Sequence, residues 1–205
     1  MTANDTLNYL ALGDSYTIGE SVPQSQSYPY QLADALNAQS FRMQPPKIIA
    51  VTGWTTDDLI SAISQSGITD KKFSFVTLLI GVNDQYQQLS QENYKIKFAR
   101  VLNTAITFAG GDASRVFVLS IPDWGVTPFA AGQDNVIGPQ IDRFNAINKS
   151  ISTAVGVNYL DITAISRQAA TDTSLIASDG LHPSGKMYML WVNLLEPMIA
   201  DKLKK

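Results

Sequence analysis

Cysteine is absent from this 205-residue chain, and histidine occurs once. Without thiols there is no disulfide framework and no cysteine catalysis, and one imidazole cannot make a histidine-cluster zinc site. No stretch approaches the ~18–20 apolar residues that a membrane-spanning helix needs. Positive charge is scarce as well. A net charge of −3 leaves no basic footprint for nucleic acid. Internal repeats, low-complexity tracts and Gly/Ser linkers are missing. The N-terminal stretch MTANDTLNYLAL has neither the basic start nor the long apolar run of a signal peptide. As it stands the chain is expected in the cytoplasm; a leader cleaved from its front would make it periplasmic or secreted. The sequence does not fix an oligomeric state.

What is present reads as a globular domain. Hydrophobic residues make up 45% of the chain and charged residues 16%. A chain of this length buries a core without disulfides or a metal, so a single domain over 1–205 is expected. Short apolar runs fall at Tyr9–Leu12, Ile48–Val51, Phe73–Ile80, Val116–Leu119 and Val157–Leu160. Continuous runs of this kind suit parallel strands covered on both faces. Helical patterns lie between them. Tyr94, Phe98, Val101, Leu102, Ala105 and Ile106 share one face, and Gly110-Gly111 stops that run. Thr55 and Asp58 form a capping-box pattern ahead of Leu59, Ile60 and Ile63. Pro139 suits the first position of a helix carrying Ile141, Phe144, Ile147 and Ile151, closed by Gly156. Ser184 is placed to cap a last helix, which Pro197 should kink or break. Lys202, Lys204 and Lys205 suit the negative end of its dipole.

Strand and helix alternating five times predict an α/β fold: a five-stranded parallel sheet with helices on both faces, in the common order 2-1-3-4-5. Ligands then bind beyond the carboxyl ends of the strands. Strand 1 runs into Gly13-Asp14-Ser15, strand 2 into Thr52-Gly53-Trp54 and strand 3 into Gly81-Val82-Asn83-Asp84. In that order the three ends are neighbours, spaced by ~4.8 Å. A hydroxyl, a glycine amide and a carboxamide then converge on one small volume. Acyl transfer needs such a set: a nucleophile, a base and donors for the developing oxyanion. Ser15 can attack, while the amides of Ser15 and Gly53 and the side-chain NH₂ of Asn83 can hold the oxyanion. Glycine at 53 is expected to let the backbone approach substrate closely. The one imidazole, His182, lies in Asp179-Gly180-Leu181-His182-Pro183-Ser184. On a turn, the spacing of three lets the Asp179 carboxylate reach Nδ1–H and fix the tautomer. The stretch from Ile162 to Leu181 is long enough to return His182 from strand 5 across roughly 14 Å of sheet.

These four blocks, in this order, resemble the SGNH hydrolases, also called GDSL-type esterases and lipases. Gly13-Asp14-Ser15 matches the nucleophile block, with Tyr16 where many members have leucine. Thr52-Gly53 matches the glycine block, Gly81-Val82-Asn83-Asp84 the GxND block and Asp179-Gly180-Leu181-His182-Pro183 the DxxH block. The blocks span Gly13 to Pro183, and their strength lies in their joint order, since each alone arises by chance. The resemblance implies a flavodoxin-like three-layer fold, ester hydrolysis through an acyl-enzyme, a small-molecule ester as partner, and no cofactor or metal. It implies catalytic roles for Ser15, Asp179 and His182 and oxyanion contacts from Ser15, Gly53 and Asn83. Asp14 and Asp84 are read as structural. The tyrosine at 16 bears on pocket shape. Tyr16, Trp54, Tyr86, Trp124 and Phe129 follow these positions or lie in the long loop from Asp123 to Ile137, and are expected to wall the substrate pocket. A carbohydrate O-acetyl ester or a lysophospholipid is an alternative substrate. A non-catalytic binding module is an alternative of another class, disfavoured because Asp14 would repel a phosphate and no G-x-G-x-x-G follows strand 1.

Overall fold

A computed structural model describes residues 6–204; Met1–Asp5, part of the N-terminal stretch MTANDTLNYLAL, and Lys205 lie outside the described residues. In chain order the elements are β1 (Tyr9–Gly13), α1 (Ser15–Ile18), α2 (Tyr28–Ala38), β2 (Lys47–Ala50), α3 (Thr56–Gln65), β3 (Phe75–Leu79) and α4 (Val82–Tyr86). There follow α5 (Gln91–Phe108), β4 (Val116–Leu119), α6 (Asp134–Ala154), β5 (Asn158–Leu160), α7 (Thr163–Ser166) and α8 (Gly185–Leu203). All pairings are parallel and the strand order is 2-1-3-4-5. The sheet is the middle layer of an α/β/α sandwich: α2 packs on α8, and α5 packs on both α3 and α6. Every residue of the three inner strands is buried, whereas edge strands β2 and β5 are partly open. Both-face burial is why the inner strands read as unbroken apolar runs.

Strand register positions the loops. Gly13 at the end of β1 pairs with Ala50 of β2 on one side and Leu79 of β3 on the other. Three strands therefore end level, and three loops leave the sheet side by side. Gly81, just past β3, has φ +124°, and a Cβ there would lie 2.2 Å from the Tyr94 hydroxyl. Tyr94 itself donates to Asn148 Oδ1 at 2.7 Å. Only glycine lets the chain turn from β3 into α4 beneath that ring.

The helix ends agree with the sequence signals, with two exceptions. Thr55 and Asp58 make the reciprocal capping box, and Ser184 Oγ accepts the Met187 amide. The left-handed Gly110, Gly111 and Gly156 come just after the ends of α5 and α6. Pro139, however, sits inside α6, which begins at Asp134. Gly138 before it has no Cβ to collide with the proline ring, so the helix forms through a residue pair that normally excludes it. Pro197 likewise does not end α8. The carbonyl it leaves without an intrahelical donor belongs to Asn193, which is exposed to water. The opposite face, with Tyr188, Trp191, Leu195 and Ile199, is buried and holds the helix down. Each such side chain contributes about 1.5–3 kcal/mol. Lys202 lies in the last turn of α8.

After β4 the chain is held by a buried amide. Asn145 of α6 accepts the Ile121 amide at 2.7 Å and donates to the Ile121 carbonyl at 3.0 Å. This fixes where the 121–133 segment departs. Asn145→Leu keeps the volume and strands the Ile121 amide, worth about 1–3 kcal/mol when buried unpaired, while the Ile121 carbonyl keeps the Thr163 hydroxyl at 2.8 Å. Denaturant unfolding should show a loss of about 1–3 kcal/mol; a loss below about 0.5 kcal/mol would mean that Asn145 does not anchor the segment.

Candidate active site

Ser15 opens α1 directly after Asp14, whose Oδ1 accepts the Tyr16 amide at 3.0 Å and caps the helix. The single turn of α1 closes on Gly19, and the amides of Gly19 and Glu20 both donate to the Ser15 carbonyl. The Ser15 backbone is thus held at both ends, and its hydroxyl faces the cleft.

His182 reaches that hydroxyl from 167 residues away. Its Nε2 lies 3.0 Å from Ser15 Oγ, and its Nδ1 lies 2.6 Å from Asp179 Oδ2. Asp179 Oδ1 accepts the amides of Leu181 and His182 at 2.9 and 3.0 Å. The spacing of three works because Gly180, at φ +75°, folds the carboxylate back over the turn. Burial alone would raise the Asp179 carboxyl. The hydrogen bonds from His182, Ser21 and the two amides outweigh it and hold the group well below the usual carboxylate range. An ionised Asp179 requires the proton on Nδ1, which leaves Nε2 free to accept from Ser15.

A cleft of about 190 Å³ opens above this pair. Ser15, Tyr16, Thr52, Gly53, Val82, Asn83, Tyr86, Trp124, Phe129, Leu181 and His182 line it. Gly53 and Asn83 therefore face the same space as Ser15. Gly53 has φ +83°, while a Cβ there meets nothing within 4 Å. The left-handed backbone conformation by itself calls for glycine here, and the open space above it leaves the amide accessible from the cleft. Asn83 donates one N–H to the Trp54 carbonyl at 2.9 Å. Its second N–H remains for another acceptor.

Four of the five aromatics expected on the wall are there. The Tyr86 and Trp124 rings meet edge to face at 5.4 Å, and Phe129 lies 6.1 Å from Trp124. Trp54 is not among the lining residues. It precedes the cap of α3, where an apolar side chain turns back toward the helix, and it packs half-buried on the core. Trp124 is fixed through its Nε1, which donates to Gln85 Oε1 at 2.8 Å. Its loop is held by Asp123, whose Oδ1 accepts the Gly125 amide and whose Oδ2 pairs with Arg167 at 2.9 Å. The Phe129 amide donates to the Gly180 carbonyl at 3.0 Å, so the aromatic loop and the His182 loop are tied together.

Sequence reading misses three supports. Thr52 donates its hydroxyl to Glu20, Ser21 donates to Asp179 Oδ2 at 2.7 Å, and Gln85 holds Trp124. Nothing in the local sequence marks Glu20 or Ser21, because their partners come from other strands' loops. Asp84, read as structural, accepts both the amide and hydroxyl of Thr56 and ties α4 to α3. Burial raises its carboxyl above the ordinary range.

The sequence matches the model of the GDSL-like lipase/acylhydrolase family over residues 11–190. The chain belongs to the GDSL-like lipase/acylhydrolase family. That membership puts it among hydrolases of carboxylic esters. Solved structures agree in fold. A psychrotrophic esterase from Pseudoalteromonas sp. is 15% identical with a TM-score of 0.73, covering 98% of this chain and 100% of that one. An acetylxylan esterase from Geobacillus stearothermophilus is 16% identical with a TM-score of 0.71, covering 96% and 94%. The lipase/acylhydrolase from Enterococcus faecalis is 19% identical with a TM-score of 0.71, covering 96% of each chain. No curated protein matches the sequence. Among the described residues no helix is long and apolar enough to cross a membrane.

Asp14 carries a measurable electrostatic signature. Burial pushes its carboxyl up to about 8 against the opposing pull of the Tyr16 amide, and nearby Asp84 adds to the rise. The unfolded chain gives up that proton near about 4. Between these values the folded state holds a proton that the unfolded state has lost. Asp14 therefore erodes stability as pH rises from about 4 to about 8, with no further loss above. Asp14→Asn keeps an oxygen for the Tyr16 amide and removes the titration. Its melting temperature relative to the unmodified chain should climb between pH 5 and pH 8; a constant difference would show that Asp14 is ionised in the fold.

Proposed function

We propose that this GDSL-family hydrolase cleaves small carboxylic esters by serine acyl transfer. The observation that carries the reading is the unbroken line Ser15 Oγ, His182 Nε2, His182 Nδ1, Asp179 Oδ2, with links of 3.0 and 2.6 Å. Ser15 Oγ attacks the acyl carbon while His182 Nε2 takes its proton. Asp179 steadies the imidazolium that forms and does not itself take the proton. The carbonyl oxygen, now an oxyanion, accepts from the amides of Ser15 and Gly53 and from the free N–H of Asn83. The Trp54 carbonyl, by holding the other Asn83 hydrogen, aims the amide in advance of reaction. His182 then returns its proton to the departing alcohol. A water molecule attacks the acyl-Ser15 ester by the same route, and Ser15 is regenerated.

The cleft's size and lining select the substrate. Space of about 190 Å³ between Tyr16, Val82, Trp124 and Leu181 suits a short acyl group. Tyr86 and Phe129 are both more than half exposed and offer ring faces to the alcohol moiety. This favours an aryl alcohol or a sugar ring, so a carbohydrate O-acetyl ester is the second reading. No lysine or arginine is among the lining residues described, and nothing there would pair with the phosphodiester of a lysophospholipid.

Turnover of p-nitrophenyl esters from acetate to decanoate tests both parts. Rates should be highest for the shortest acyl groups and fall with length. Ser15→Ala should lose about four orders of magnitude or more in kcat. Equal rates in Ser15→Ala and the unmodified chain would overturn the mechanism. Decanoate turned over as fast as acetate would overturn the assignment of a small acyl site.

A further inference from the structure

Ser21 is one of four non-glycine residues at positive φ among the described residues, at +64°. L-residues avoid this region because Cβ crowds the following carbonyl. Strain of this kind persists where surrounding structure enforces it, and it points to a functional demand at the residue. The demand here is visible. From this conformation the Ser21 hydroxyl donates to Asp179 Oδ2 at 2.7 Å, the same oxygen that receives His182 Nδ1. Asp179 Oδ1 is already filled by two amides. Ser21 thus supplies the fourth hydrogen bond and leaves each carboxylate oxygen with two donors.

Its own position is fixed from the other side of the site. Ser21 lies three residues beyond α1, and the amides of Gly19 and Glu20 bind the Ser15 carbonyl. Glu20 in turn receives the Thr52 hydroxyl beside Gly53. The segment 19–21 therefore links Ser15 directly to Asp179, 158 residues from Ser21 along the chain. Without the link, Oδ2 is held only by the His182 ring that it is meant to orient, while Oδ1 keeps its two amides.

We infer that Ser21 is a positioning residue: its hydroxyl locks the Asp179 carboxylate in the orientation that aligns His182 with Ser15. The inference rests on the serine-esterase mechanism proposed for this site. Ser21 touches no substrate and is absent from the cleft lining. Its contribution therefore falls on the chemical step and leaves substrate binding alone.

Two substitutions separate this role from a structural one. Ser21→Gly removes the hydroxyl and relieves the backbone strain; Ser21→Ala removes the hydroxyl and keeps the strain. On p-nitrophenyl acetate both should lower kcat by about three- to tenfold, the worth of one ordinary hydrogen bond, with KM within about twofold. Thermal melting separates the lost bond from the strain: Ser21→Gly melts above Ser21→Ala and is nevertheless slower than the unmodified chain. A Ser21→Gly enzyme with unreduced kcat, or with its loss confined to KM, would overturn the inference. Ser15→Ala run in parallel tells the two failures apart. If Ser15→Ala is inactive while Ser21→Gly is at full rate, only the role of Ser21 falls. If Ser15→Ala is fully active, the serine mechanism falls and the role of Ser21 with it.

Discussion

The arrangement depends on one constraint: β1, β2 and β3 end level with one another. Gly13 pairs with Ala50 and with Leu79, so the segments carrying Ser15, Gly53 and Asn83 leave the sheet from adjacent points on one edge. Parallel strands at a spacing of ~4.8 Å make that convergence a property of the sheet and not of flexible loops. A slip of β2 or β3 along β1 would carry Gly53 or Asn83 away from Ser15. The buried apolar runs of β1 and β3 resist such a slip. His182 and Asp179 do not come from this edge. They are delivered by the turn ahead of α8, and the many hydrogen bonds of that turn compensate for its lack of sheet support.

Two carboxylates close to this edge are driven in opposite directions by their surroundings. Asp14 is fully buried, has one amide partner and leaves Oδ2 without any, so burial dominates and its proton stays on. Asp179 is partly open and receives donors on both oxygens, so hydrogen bonding dominates and its charge stays on. Burial thus favours a neutral Asp14 beneath the backbone of α1, and the donors around Asp179 favour its charged form, which in the proposed mechanism sets the His182 tautomer. Placing both in the same state would either bury an uncompensated charge under Ser15 or release the imidazole.

Much of this is legible in the sequence, for identifiable reasons. Inner strands buried on both faces produce apolar runs, and five such runs alternating with helices leave few topologies. Residues whose roles depend on local geometry, such as Thr55, Ser184 and the Asp179–His182 pair, are readable because a short spacing encodes the contact. Pro139 and Pro197 mislead because sequence shows only what a proline removes. What Gly138 and the solvent around Asn193 restore cannot be seen locally. Trp54 misleads because sequence proximity to Gly53 says nothing about which way the next side chain turns. Glu20, Ser21 and Gln85 escape altogether, because each acts on a partner brought close only by the folded sheet.

The central claim is that Ser15 is an activated nucleophile. The most direct measurement is reaction with a fluorophosphonate and then peptide mass spectrometry, since the reagent forms a stable bond with an activated serine. The account predicts one adduct, on the peptide carrying Ser15, and its loss in His182→Ala. An adduct on a different serine, or an esterase-active protein whose Ser15 stays unmodified, would contradict it.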